Sequence, residues 1–156
     1  MHFSLLYVSE KPSIWVEQAC QFYMKRLPAE FGFRQTRIPP VKRAKNSHIN
    51  TVKHQEWLRI NEKTGKQSLI ILLDERGKQF SSEQFSQQID KWQQYSRDVD
   101  FIIAGADGVM QEHRQQVDAM LALSQLTLPH EIARLFLIEQ LYRAWTIRMN
   151  HPYHRA

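Results

Sequence analysis

The chain has 156 residues, enough for one domain with a real core and too few for two comfortable ones. Its formal charge of +5 favours a polyanionic partner, RNA or DNA first, with positive residues bunched at Lys42-Arg43-Ala44-Lys45 and again toward the C-terminus. A single cysteine, Cys20, excludes an internal disulfide and a cysteine-based zinc site, and the lack of a basic leader or a membrane-length apolar run sets the expectation of a soluble, cytoplasmic protein.

Short apolar runs alternate with helical patterns along the chain, which predicts an α/β fold with a mostly parallel sheet flanked by helices. The first run is Phe3 to Val8. A helix from about Ser13 to Leu27 follows, with Trp15, Ala19, Phe22 and Tyr23 expected on its apolar face and Cys20 beside them. Phe33 to Ile38 has polar residues interleaved, as an edge strand does, and Pro39-Pro40 ends it. A basic segment through Asn46 leads to a polar helix from about Ser47 to Asn61, closed by a Thr64-Gly65 turn signal.

Ser68 to Leu73 is a continuous apolar run of the kind buried on both faces, with Asp74-Glu75-Arg76-Gly77 at its C-terminal end. Ser81-Ser82-Glu83-Gln84 reads as a capping box opening a helix that carries Phe85, Ile89 and Trp92. Val99 to Ala104 repeats the buried-strand pattern and runs into Gly105-Ala106-Asp107-Gly108. A last run, Leu121 to Leu128, meets Pro129 and then a helix from about Ile132 to Arg148. There Leu135, Ile138, Tyr142 and Trp145 form one apolar stripe, while Phe136, Leu137, Leu141 and Ala144 cover other faces. Such all-round apolarity calls for burial on more than one side, which points to a homodimer, the plain alternative being a core helix of one chain.

Ligands of open parallel sheets sit outside the carboxyl ends of the strands, so a small molecule is expected at Leu73-Asp74, Ala104-Gly105 and Ser124 to Leu128. Gly105-Ala106-Asp107-Gly108 lacks the glycines of a dinucleotide fingerprint, and no glycine-rich loop carries a Lys-Ser or Lys-Thr pair. Ser124, His130 and Asp107 could form a hydrolase triad, but no Gly-x-Ser-x-Gly elbow surrounds the serine. His151 and His154 have no carboxylate motif to support a metal, and none is expected. The segment His151-Pro152-Tyr153-His154-Arg155 gathers imidazole, phenol and guanidinium behind an apolar helix, and so supplies a proton acceptor, a stacking surface and a phosphate-binding cation. Its plain alternative is an ordered end packed on its own domain.

Five segments together carry a family likeness: Leu72-Leu73-Asp74-Glu75-Arg76-Gly77, Ile103-Ala104-Gly105-Ala106-Asp107-Gly108, Leu123 through His130, Glu139-Gln140-Leu141-Tyr142-Arg143-Ala144 and the terminal His-Pro-Tyr-His. In this order and length the chain resembles the RlmH family, small SPOUT-class ribosomal RNA methyltransferases, over essentially all of residues 1–156 as a single domain. The resemblance implies an α/β knot, in which the C-terminal segment threads a loop into a deep trefoil. It also implies a homodimer that uses S-adenosylmethionine to methylate N3 of a pseudouridine in large-subunit (23S) rRNA on the ribosome.

Carried over by position, the cofactor contacts fall on Leu73, on Ala104 and Gly105, and on Leu123, Ser124, Gln125, Leu126, Thr127 and Leu128. Ala104 departs from the family's usual glycine pair, a change that a negative φ would tolerate. The uridine-type N3 proton must leave; His154 or Tyr153 could take it, and Arg155 could stabilise the developing negative charge. Lys42, Arg43 and Lys45 are the candidates for rRNA backbone contacts, while Arg134 and Arg143 could bind RNA or pair with carboxylates. The alternative is a ribosome- or RNA-binding protein of the same fold without catalysis; more remote is a nucleotide-binding hydrolase.

Overall fold

The computed structural model describes residues 1–95 and 98–155. The elements run β1 (Phe3–Val8), α1 (Ile14–Met24), a 3-10 turn (Ala29–Phe31), β2 (Arg34–Ile38), α2 (Ile49–Asn61), β3 (Leu69–Gln79), α3 (Ser82–Gln94), β4 (Val99–Ile103), α4 (Gln111–Arg114), β5 (Ala119–Ala122), α5 (His130–Arg148) and a second 3-10 turn (Pro152–His154). All strand pairs are parallel and the sheet order is β2-β1-β4-β3-β5, the α/β architecture expected.

Burial follows the period of two that a sheet covered on both faces demands. Leu5, Phe101 and Ile71 lie in register across β1, β4 and β3, and point into a core closed by Val16 and Cys20 of α1, Phe85, Ile89 and Trp92 of α3, and Leu137, Ile138 and Leu141 of α5. Their neighbours Leu6, Ile102 and Leu72 face the other way, onto Trp57 and Ile60 of α2. Each side chain so buried contributes about 1.5–3 kcal/mol, which is why the central strands read as unbroken apolar runs. Asp100 in β4 is an acid set within such a run; it is buried but accepts the Gly65 N–H at 2.8 Å. The Ser81 capping box stands as expected: the Ser81 hydroxyl accepts from the Gln84 N–H and the Gln84 side chain accepts from the Ser81 N–H.

Two expectations are corrected, and the ground for a third is narrowed. In α1 the buried face is Val16, Cys20 and the half-buried Tyr23 and Met24, while Trp15 (56% exposed) and Phe22 (50%) turn outward. The large aromatics suggested the stripe, but the small residues fit against the sheet, and Arg26 covers the Phe22 ring at 3.5 Å. Next, β3 does not stop at Leu73. Its pairing with β5 jumps from Leu73 to Lys78 opposite the same residue, Leu121, so Asp74 to Gly77 bulge out of an otherwise continuing strand. Gly77 is required there, because a Cβ would lie 2.6 Å from the Met120 carbonyl carbon. Finally, much of the apolar circumference of α5 is covered by the sheet, α1, α3 and the C-terminal turn of the same chain. Its composition alone therefore does not demand a second copy.

Candidate active site

Parallel strands all end on one side, and there β3, β4 and β5 open onto a cavity of about 370 Å³, within the range of small-molecule sites. One wall is Leu72, Leu73 and the β3 bulge; a second is the loop from Ile103 to Val109; a third is Leu121, Leu123, Ser124 and Leu126 to Leu128, with His130 and Ala133 of α5 closing the end. Of the positions carried over for cofactor, Leu73, Ala104, Gly105, Leu123, Ser124, Leu126, Thr127 and Leu128 line this cavity. Gln125 does not; its side-chain amide turns toward Gln79 at 3.4 Å.

The loops are locally determined. Gly108 takes φ +76°, open only to glycine at low cost, and its N–H closes a turn onto the Gly105 carbonyl at 2.9 Å. The Ser124 hydroxyl accepts from the Leu126 N–H at 2.9 Å. Among the described residues the only non-glycine with positive φ is Asn150, so the Ala104 methyl is accommodated by its backbone, and it packs into the α2-side core. Charge enters in pairs: Asp74 accepts from Arg114 at 2.9 Å with both side chains largely buried, and Asp107 pairs with Arg43 from outside the cavity. Glu75 and Arg76 complete the polar wall. Burial pushes the His130 imidazole below its usual range, an effect partly offset by the Glu56 carboxylate, so the group at the head of α5 is neutral near pH 7.

The C-terminal residues lie elsewhere. The 19 residues of α5 span about 28 Å, and the segment after them folds back along the helix until the Tyr153 hydroxyl reaches Glu139, midway between its two ends; none of Tyr153, His154 and Arg155 lines the cavity. A left-handed Asn150, with His151 N–H bonded to the Thr146 carbonyl at 2.9 Å and Asn150 N–H to Ile147 at 3.2 Å, ends the helix in a Schellman motif and folds the chain back. The Tyr153 hydroxyl donates to Glu139 at 2.8 Å, and Glu139 also pairs with Arg143 at 2.8 Å. Burial first, then its hydrogen bonds to Tyr23 and Glu139, hold the Tyr153 phenol well above its ordinary range. It stays protonated, a donor and not a base. His154 Nδ1 is buried with no partner among the described residues, and Arg155 is exposed. Lys42, Arg43 and Lys45 are exposed on the loop between β2 and α2. Arg134 is wholly buried, paired with Glu17 and lying over the Tyr7 ring at 4.3 Å; with Arg143 held by Glu139, both arginines are engaged inside the chain.

Away from the cavity, His54, Glu112 and His113 bring possible ligand atoms within 4.8 Å of one another. His113 Nδ1 already accepts the Met110 N–H at 3.2 Å, so the neutral ring carries its proton on Nε2, which is buried and unpartnered. The buried member of the set thus offers no free lone pair, and its ring is instead stacked on Trp57 at 4.9 Å.

An all-parallel sheet with a small-molecule cavity at its strand ends is the architecture of α/β enzymes that bind a ligand there, and the family described as "Predicted SPOUT methyltransferase" matches residues 1–154. The chain belongs to the SPOUT methyltransferase family and is a methyltransferase. Its relatives include proteins named "Ribosomal RNA large subunit methyltransferase H" from Janthinobacterium sp. (strain Marseille), 42% identical with 96% of each chain covered, and from Paraburkholderia xenovorans (strain LB400), 41% identical with all of each chain covered. A crystal structure assigned as an RNA methyltransferase from Bacillus anthracis superposes with a TM-score of 0.52 over 98% of this chain and 97% of that one. At 15% identity it speaks to the fold alone.

Proposed function

We propose that this protein is a cytoplasmic, homodimeric enzyme of one SPOUT-type domain that transfers a methyl group from S-adenosylmethionine to N3 of a pseudouridine in large-subunit rRNA on the ribosome. The observation that carries the reading is the full-length likeness to relatives named for large-subunit rRNA methylation, joined to a cavity at the strand ends of this chain. A C-terminal segment threaded through the cofactor loops belongs to the same proposal.

The cavity suits that cofactor by its chemistry. Leucine side chains from each strand end give an apolar bed for an adenine ring, and loop backbone can serve its edge. Asp74 and Asp107 already face arginines, which leaves Glu75 as the acid on the cavity wall for a positively charged ligand. S-adenosylmethionine supplies, when bound, an activated methyl on a sulfonium, so the protein's share is alignment and disposal of one proton. Leu73, Ala104, Gly105 and Leu123 through Leu128 hold the donor. Lys42, Arg43 and Lys45 hold RNA phosphates.

Proton disposal falls to the C-terminal residues. With Tyr153 fixed as a donor on Glu139, His154 is the acceptor of the N3 proton, and Arg155 offsets the charge that develops on the base. None of these residues lines the cavity of its own chain, which supports a dimer in which a second copy brings them to it. In this reading the dimer completes the site. Transfer of labelled methyl from S-adenosylmethionine to ribosomes that lack the modification, followed by mapping of the labelled base, tests the proposal. Label on N3 of one large-subunit pseudouridine is expected; cofactor binding without transfer to any ribosome or RNA would leave a binding protein of the same fold.

A further inference from the structure

The loop proposed to meet RNA and the loop proposed to hold the cofactor are strapped together, and the strap is a buried carboxylate. Glu56 on α2 is only 6% exposed, yet no cation pairs with it among the described residues. A carboxylate withdrawn from water without a counter-ion is costly unless its oxygens are used. One oxygen, Oε2, accepts the Val41 N–H at 3.0 Å. The other is seated against Gly105, where a Cβ would lie 2.7 Å from Oε1 and 3.2 Å from Val8 Cγ1. The missing side chain of Gly105 is thus the space the carboxylate occupies.

The same stretch is gripped at further points. Arg59, one turn along α2, donates to the Pro39 carbonyl at 2.8 Å, and Arg43 reaches across to Asp107. Residues 39 and 41 are therefore tied to α2, and residue 43 to the loop 104–108. None of them lines the cavity, whereas Gly105 and Asp107 both do.

We propose that Glu56 is a positioning residue that couples the two sites: by joining Val41 to the back of Gly105, and with Arg43 on Asp107 as the second tie, it makes loading of the cofactor cavity set the basic loop. This rests on the reading of the cavity as the methyl-donor site. A ligand that pins the loop 104–108 steadies Gly105 and Asp107, and through them the backbone from which Lys42 and Lys45 project. By reciprocity, RNA held on the basic loop tightens the hold on the cofactor.

The test is amide hydrogen exchange on the full chain with and without saturating S-adenosylhomocysteine, the binding itself followed by calorimetry. In the wild-type protein, ligand should slow exchange across residues 40–46 by about fivefold or more, although that segment does not line the cavity. Glu56→Ala should abolish this protection at saturating ligand while binding persists. Glu56→Gln, which keeps an acceptor for the Val41 N–H, should retain most of it. Arg43→Ala changes an exposed side chain, leaves the fold intact and should lose protection of residues 42–46, which guards the test against a poorly folded Glu56 variant. Wild-type binding without protection of the loop overturns the proposal, as does full protection in Glu56→Ala or Arg43→Ala. A wild-type protein that does not bind the ligand overturns the cofactor reading instead, and this coupling with it.

Discussion

The two ends of α5 are built on opposite plans. At its first turn the cavity is made of leucine side chains and tight backbone turns, and its acids Asp74 and Asp107 are matched by Arg114 and Arg43. At its last turn Trp145 Nε1, Arg148 Nη1 and His154 Nδ1 are buried without partners among the described residues, next to a strongly polar segment. The head of the helix thus meets apolar walls and matched charges, whereas its last turn meets a polar segment tied back through Tyr153, Glu139 and Arg143. In the proposed dimer the first end holds the cofactor and the second works at the cavity of another copy.

Removing residues 151–156 gives the sharpest test of that contrast. Loss of the proton acceptor should cut methyl transfer by about a hundredfold or more. S-adenosylhomocysteine affinity, measured by calorimetry, should stay within about twofold, since none of residues 151–155 lines the cavity. Mixing the truncated protein with a Gly105→Val variant, whose side chain collides with Glu56, should restore part of the activity, because one heterodimer site pairs an intact cavity with an intact C-terminal segment. If the mixture stays inactive while mixed dimers form, the two ends do not serve one site.

The cavity end should also break more readily by packing. Gly77→Ala forces a methyl against the backbone of Met120 and Leu121 and should cost about 3 kcal/mol in urea unfolding. Gly108→Ala meets nothing within 4 Å and carries only the strain of its positive φ, about 1 kcal/mol. Equal losses at the two glycines would mean that the β3 bulge yields easily, and that the wall it forms is not a fixed part of the cavity.

The sequence was most readable where periodicity and burial coincide. The unbroken runs of β1, β3 and β4, the alternation in β2 and the Ser81 capping box all fall where the pattern puts them, and so do the strand-end loops around the cavity. The bulge was hidden because Asp74-Glu75-Arg76-Gly77 reads as a turn, whereas close packing of Gly77 on β5 lets the strand resume. Glu56 has a signal in the sequence too, one that periodicity alone does not interpret: Val52, Glu56 and Ile60 share one buried face of α2, and an acid on an apolar stripe needs a reason. Nothing local announces the Arg43 to Asp107 tie, which joins residues far apart in the chain.

Smaller effects separate the basic loop from the cavity it adjoins. The double variant Lys42→Ala/Lys45→Ala should weaken ribosome or rRNA binding and flatten the plot of log affinity against log salt by about 1.5 to 2. Cofactor binding in the absence of RNA should barely change, because both side chains are exposed and neither lines the cavity. An unchanged salt slope would take these lysines out of the RNA contact and leave Arg43 as a structural tie alone.

The gentlest probe is pH. His130 beside the cavity and His113 on Trp57 are both held below their usual range, chiefly by burial. Each folded imidazole binds its proton less readily than in the unfolded chain, where the group titrates near 6.5. The stability that neutrality provides is therefore fully present above about pH 6.5, and it falls as pH drops from there toward the folded-state values. The melting temperature should decline between about pH 7 and pH 5, and His130→Gln and His113→Gln should each flatten that decline. Only His130 lines the cavity, so bound S-adenosylhomocysteine should alter its share of the slope and leave that of His113 unchanged. A ligand effect that survives in His130→Gln would show that the cavity communicates with the α2 side of the sheet, the side on which Glu56 and His113 lie.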